Sequence, residues 1–222
     1  MISIMDNYKY KYKLLKVNII MLYVILLSSI ISHMIAGKII SIFGIPIISS
    51  TFTYMFVISS IYFVRAYSSI KNALILIFFE ITFIGIFSTF NNYISNFKSP
   101  EWVIFNEHNF GYVMHTVQKL YFDNLIGFIA LIIVDLLLFS FLFSRVFYKF
   151  RLRVNYFLST IITMLITLSI YTYITDYLFF HNYYPNQWFY LTNINFISNA
   201  ILVAMYSMFF SIILKNTIKY IN

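Results

Sequence analysis

Apolar residues in this chain neither alternate nor recur in narrow stripes; they run on in long blocks separated by short polar breaks. Six blocks fall at about residues 17–36, 46–64, 73–90, 124–143, 156–178 and 194–214. A bilayer core about 30 Å thick takes about 20 mostly apolar residues of helix. The blocks are near-continuous in Ile, Leu, Phe and Val, which predicts helices and excludes an outer-membrane barrel with its alternating strands. The expected fold is an all-α integral membrane protein of six transmembrane helices. Lys38 and the Gly44-Ile45-Pro46 turn separate the first two spans, and Pro46 is well placed to open the second helix. Residues 91–123 form the one long polar connection, with Pro100, Glu101, Glu107, His108 and His115. A basic flank (1–16) and a basic tail (215–222) bracket the membrane domain at 17–214.

Composition agrees with the pattern. Apolar residues make up 61% and charged residues 10% of the 222, against about 45–50% and about 25% in soluble domains. The mean hydropathy is +0.84. Soluble, disordered and collagen-like readings are excluded, and the absence of cysteine removes disulfide scaffolds, thiolate metal sites and cysteine nucleophiles. The aromatic share of 22%, with an excess of Ile, Asn, Lys and Tyr, suggests drift in an AT-rich genome.

Charge sets the topology. With a cytoplasmic N-terminus, the inner segments hold twelve basic residues: Lys9, Lys11, Lys13, Lys16, Arg65, Lys71, Arg145, Lys149, Arg151, Arg153, Lys215 and Lys219. The outer segments hold three, Lys38, Lys98 and Lys119, together with Glu101, Glu107, Asp123 and Asp176. The positive-inside rule then predicts that both termini are cytoplasmic. The net charge of +8 is read as flanking charge for anionic lipid head groups, not as a nucleic-acid surface. The first span is longer than a signal-peptide core, and Ser32–Gly37 offers no A-x-A site, so it is read as an uncleaved helix.

Ionisable groups inside a bilayer are functional candidates by default. Glu80 in span three and Asp135 in span four each lie about eight residues, or about 12 Å, from the cytoplasmic edge. At one depth and on facing helices, they would couple and share a proton. Toward the outer face stand His33, Lys38, Lys119, Asn124 and Asn199. In span five, Ser159, Thr163 and Thr167 share one helical stripe with Thr160 beside it, marking a buried face. No Walker loop, G-x-S-x-G or H-E-x-x-H occurs, and the four histidines are scattered, so neither an enzyme, a metal centre nor a cofactor site is expected.

Taken in order, Ser32–Ile39, Val64–Ser68, Asp135 with Phe139, and Ser159-Thr160 form a pattern by which the chain, from about residue 32 to residue 214, resembles the queuosine precursor transporter family. The likeness begins with Ser32-His33-Met34-Ile35-Ala36-Gly37-Lys38-Ile39, which follows a small-Asn-x-x-A-x-K-I pattern with His33 in place of the Asn. It continues through Phe52–Phe56 and Val64-Arg65-Ala66-Tyr67-Ser68. Lys119 stands where the family has an arginine before span four. Asp135 with Phe139 matches its D-x-x-x-F, and Ser159-Thr160 its Ser-Thr opening span five. The family's span-two acid is absent among Ser59, Ser60 and Ile61, its span-five acid is Thr167, and its span-six lysine is Asn199, or Asn195 if the register shifts by one turn. The resemblance implies import of a deazapurine, 7-cyano-7-deazaguanine or 7-aminomethyl-7-deazaguanine, across the inner membrane, with Asp135 as the best acceptor for the base's N–H groups. A substrate-binding subunit of a vitamin-type importer and a non-transporting structural membrane protein are the alternatives.

Overall fold

The computed structural model describes residues 4–35, 39–42, 45–48, 50–95, 125–180 and 185–219. Six helices carry nearly all of them: α1 (Ile4–Ile35), α2 (Ser50–Tyr67), α3 (Ile70–Ser95), α4 (Leu125–Phe141), α5 (Leu152–Phe180) and α6 (Trp188–Lys219). Five contain stretches long and apolar enough to cross a membrane: Leu14–Ser32, Ile70–Phe90, Ile129–Val146, Leu152–Ile174 and Trp188–Leu214. An almost wholly helical fold with membrane-length apolar helices is therefore present among the described residues.

The helices are turned inside out relative to a soluble bundle. Outward stripes are apolar, as with Tyr23, Leu27 and Ile31 on α1, or Ile197, Ile201 and Met205 on α6. Inward faces carry Ser, Thr, Asn and Asp among the Ile, Leu and Phe. In lipid this is the stable arrangement, because a buried hydroxyl or amide finds a partner on a neighbouring helix and lipid tails offer none.

The second predicted span behaves differently from the others. Its first residues, with Pro46, lie in a β-hairpin in which β1 (Ile39–Ile42) pairs antiparallel with β2 (Ile45–Ile48); the helix begins only at Ser50. Pro46 does not open a helix, and the chain is not purely α. The run Ile39-Ile40-Ser41-Ile42 is β-branched at three of four positions, which favours an extended backbone. Pro46 faces Ser41, and a two-stranded ribbon is all edge, so its missing N–H is tolerated. The hairpin leans on α6 through β2.

Helix α2 is the hub. It packs against α1, α3, α4, α5 and α6, and eleven of its 18 residues are buried. Its Ser, Thr and Tyr residues and Arg65 make it less apolar than the surrounding helices, which it can be because protein surrounds it. The core runs along it through Met55, Val57, Ile58, Ile61, Phe63 and Val64.

Local chemistry fixes the ends. Ser69 caps α3, its hydroxyl accepting from the Asn72 amide at 3.2 Å. Helix α4 closes in a π turn over Leu142–Val146, with Phe147 N–H donating to the Leu142 carbonyl at 2.9 Å. The Phe143 carbonyl takes the side-chain amide of Asn155 at 2.9 Å, joining this turn to the start of α5. The Arg65 guanidinium donates to Ser140 and Ser144, both at 2.9 Å, and Arg153 reaches Ser211 at 3.4 Å. These bonds bring the C-terminal ends of α2, α4 and α6 and the N-terminal end of α5 together, so Arg65, Arg145, Lys149, Arg151 and Arg153 share one end of the bundle.

Candidate functional site

On α4, Asp135 and Phe139 stand one turn apart on a single buried face. Tyr62 of α2 stacks on Phe139 with ring centroids 4.5 Å apart and planes 1° from parallel. Tyr156 of α5 meets Phe139 edge-on at 6.0 Å, and its hydroxyl donates to the Ser59 carbonyl at 3.1 Å. Asp135 thus sits where α2, α4 and α5 meet, one turn from this ring cluster, with 6% of its surface exposed.

Two hydroxyls serve the carboxylate. Thr167 donates to Asp135 Oδ1 at 2.7 Å, and the Tyr62 hydroxyl stands close by as a second donor in reach. Each of these donors has a second acceptor in reach. Thr167 Oγ1 lies 3.0 Å from the Thr163 carbonyl, and the Tyr62 oxygen lies 3.3 Å from Met164 Sδ. A hydroxyl has one proton to give, and an ionised carboxylate is the stronger acceptor. Asp135 is therefore satisfied without being locked. A ligand bringing its own N–H donors can take over the carboxylate while both hydroxyls fall back on neighbours. The hydroxyls of Ser59 and Thr163, fully buried on α2 and α5, have no partner among the described residues, and such groups invite one.

A second polar cluster lies toward the other end. Thr51 of α2 donates to Asn195 Oδ1 at 3.0 Å, and Asn195 Nδ2 donates to Asp176 Oδ2 at 2.9 Å. One turn along α6, Asn199 reaches Thr172 at 3.5 Å, a long bond, and its Oδ1 is buried without a partner among the described residues. Both registers considered for the span-six polar position, Asn195 and Asn199, thus face α5. Asp176, counted among the outer-segment acids, is 4% exposed within α5; Asn195 holds it in the bundle.

Glu80 is elsewhere. Its Oε1 accepts from Ser29 of α1 at 2.9 Å, so it occupies the α1–α3 seam while Asp135 occupies the α2–α4–α5 junction. The shared depth read from the sequence does not make them a pair: each carboxylate is bonded to different helices. The α5 stripe is buried as expected, at Ser159, Thr160, Thr163 and Thr167, but Thr167 belongs to the Asp135 site and does not merely glue helices. His33 lies in the last turns of α1, its side chain outside the described residues, as are Lys38, Lys119 and Asn124.

Sequence reasoning passed over Tyr62, Tyr156, Thr51 and Asp176. A signal was available for α2: Ser59, Ser60 and Tyr62 interrupt an otherwise apolar run, the same mark that singled out the α5 stripe.

No family model, curated protein or solved structure matches the chain. Among the described residues, no group of three or more His, Asp or Glu side chains is placed to hold a metal ion.

Proposed function

We propose that the protein is a six-span inner-membrane transporter that imports a queuosine precursor, a 7-substituted 7-deazaguanine, and that Asp135 receives the base. The observation carrying this reading is the Asp135 site itself: a buried carboxylate one turn from the Tyr62–Phe139–Tyr156 ring cluster, whose two hydroxyl neighbours both have alternative acceptors. A guanine-like edge offers adjacent N–H donors, and bonds from them to a carboxylate are strong where water is excluded. The ordered likeness around Asp135, Phe139 and Ser159-Thr160 supplies the substrate class.

Helix α2 is the sixth span in this reading. Its 18 residues rise about 27 Å, close to the thickness of a hydrocarbon core. The basic end, with Arg65, Arg145, Lys149, Arg151 and Arg153, faces the cytoplasm by the positive-inside rule, which puts both termini there too. The chain has no nucleotide-binding segment, so energy comes from a gradient, from metabolic trapping or from a partner ATPase.

The test is uptake of labelled 7-cyano-7-deazaguanine by the purified protein in proteoliposomes, beside equilibrium binding in detergent. Saturable uptake supports the proposal. Binding without uptake favours a substrate-binding subunit that needs a partner, and no binding favours a structural membrane protein.

A further inference from the structure

The mechanism sketched around Asp135 leaves two buried acids unused, Asp176, which Asn195 holds, and Glu80, which lacks such a partner amide. Glu80 lies midway along α3 with 7% of its surface exposed. Its Oε1 takes the Ser29 hydroxyl at 2.9 Å, and its Oε2 is buried with no partner among the described residues. Such an arrangement suits a carboxylic acid better than a carboxylate. An ionised group there would face one donor and no cation, in a medium that penalises charge heavily. A proton on Oε2 removes the charge and leaves the Ser29 bond in place.

The titratable groups of the elements packed on α3 are committed elsewhere. On α2, Tyr62 serves Asp135 and Met164, Arg65 holds Ser140 and Ser144, and neither Tyr54 nor Tyr67 bonds Glu80. On α4, Asp135 holds Thr167. On α1, Tyr23 is 71% exposed and Lys16 is exposed thirteen residues before Ser29. Among the described side chains Glu80 therefore has no counter-charge to keep it ionised, unlike a structural ion pair; His33 of α1, one turn beyond Ser29, has its side chain outside them.

Its location also allows exchange. Helix α1 is the least enclosed of the membrane-length helices, with 17% of its apolar window buried, and it packs mainly on α2 and α3. At this seam α1 meets α3 through packing and the Ser29 hydroxyl bond, so a shift of α1 away from α3 uncovers the acid.

From these observations we infer that Glu80 is a proton-binding site, loaded and unloaded through the α1–α3 seam, that couples uptake to a proton gradient. The proton enters from the outer water onto the carboxylate, crosses as the neutral acid, and leaves to the cytoplasm as the seam reopens. This inference rests on the transport reading above but uses a residue that reading leaves idle.

The test has two arms. In proteoliposomes with the membrane potential clamped, labelled 7-cyano-7-deazaguanine is followed under imposed pH gradients. One proton per substrate raises the accumulation ratio about tenfold per unit of gradient. Glu80→Gln should keep exchange of label across equal solutions but lose this dependence, and Glu80→Asp should retain it. The second arm needs no substrate: the infrared difference between acid and alkaline buffer should contain a protonated-carboxyl stretch that disappears in Glu80→Gln. Gradient dependence unchanged in Glu80→Gln, or an infrared difference identical in the two proteins, overturns the inference. Wild-type protein that takes up no probe refutes the transport reading and with it the coupling, while the infrared arm alone then judges the proton site.

Discussion

Replacing Asp135 separates folding from recognition, because the surrounding bonds predict different costs for the two. In Asp135→Asn the carbonyl oxygen still accepts from Thr167, now at 2.7 Å. The new amide N–H₂ turns to Tyr62, whose hydroxyl can accept it and give its own proton to Met164 Sδ at 3.3 Å. In Asp135→Leu, Thr167 keeps the Thr163 carbonyl at 3.0 Å and Tyr62 keeps Met164. Asp135→Leu strands no buried donor, Asp135→Asn leaves one of its two amide N–H groups without an acceptor among these side chains, and both take a charge out of the bundle. The stability change should stay within about 2 kcal/mol, or about 4–8 °C for a chain of this length. Uptake should behave otherwise. The Asn variant presents a donor to the ligand's own N–H groups, so it loses a charge-assisted bond and leaves a donor unpaired. That costs on the order of 2–4 kcal/mol, about 30- to 1000-fold in affinity. The assay pairs thermal unfolding in detergent with precursor uptake at matched expression. Normal uptake by Asp135→Asn would refute the ligand assignment. A loss of more than about 3 kcal/mol in both variants would show that Asp135 is a structural keystone.

Reporter fusions after Asn222 and within residues 91–118 should place the C-terminus in the cytoplasm and the long connection outside; a periplasmic C-terminus would contradict the six-span count. Asn195→Leu strips the Asp176 carboxylate of its donor and Thr51 of its acceptor, for about 2–4 kcal/mol by thermal unfolding. Adding Asp176→Leu should recover at least half of that, since the stranded acid is then gone. Asn155→Ala frees the Phe143 carbonyl and the Ser159 hydroxyl, for about 1–2 kcal/mol, with faster amide exchange confined to the π turn and the start of α5.

Much of this was readable from the chain because lipid imposes simple rules on it. Runs of about 20 apolar residues can only be helices in a bilayer, and hydroxyls repeating every four residues mark an inward face. What the sequence hid is rotation about each helix axis. On α3 no hydroxyl stripe runs beside Glu80 to tell which way it points, and its seam with Ser29, 51 residues away in the chain, has no local signature. Equal depth for Glu80 and Asp135 was a count along helices; facing each other was not a quantity the count contained. Asp176 was misplaced for the opposite reason: an acid at the end of an apolar run looks solvated until Asn195, on the next helix, is seen to hold it. The hairpin was missed because a four-residue β-branched run beside a proline fits a helix start as well as a strand.

The most direct test of the account is queuosine in the tRNA of cells that cannot make the precursor and have lost their own importer. Expressing this chain with 7-cyano-7-deazaguanine in the medium should restore queuosine-modified tRNA at low external concentration, and Asp135→Asn, expressed equally, should need about 30-fold more or beyond. Restoration by neither protein, or by both alike, would contradict the claim that this bundle carries the base on Asp135.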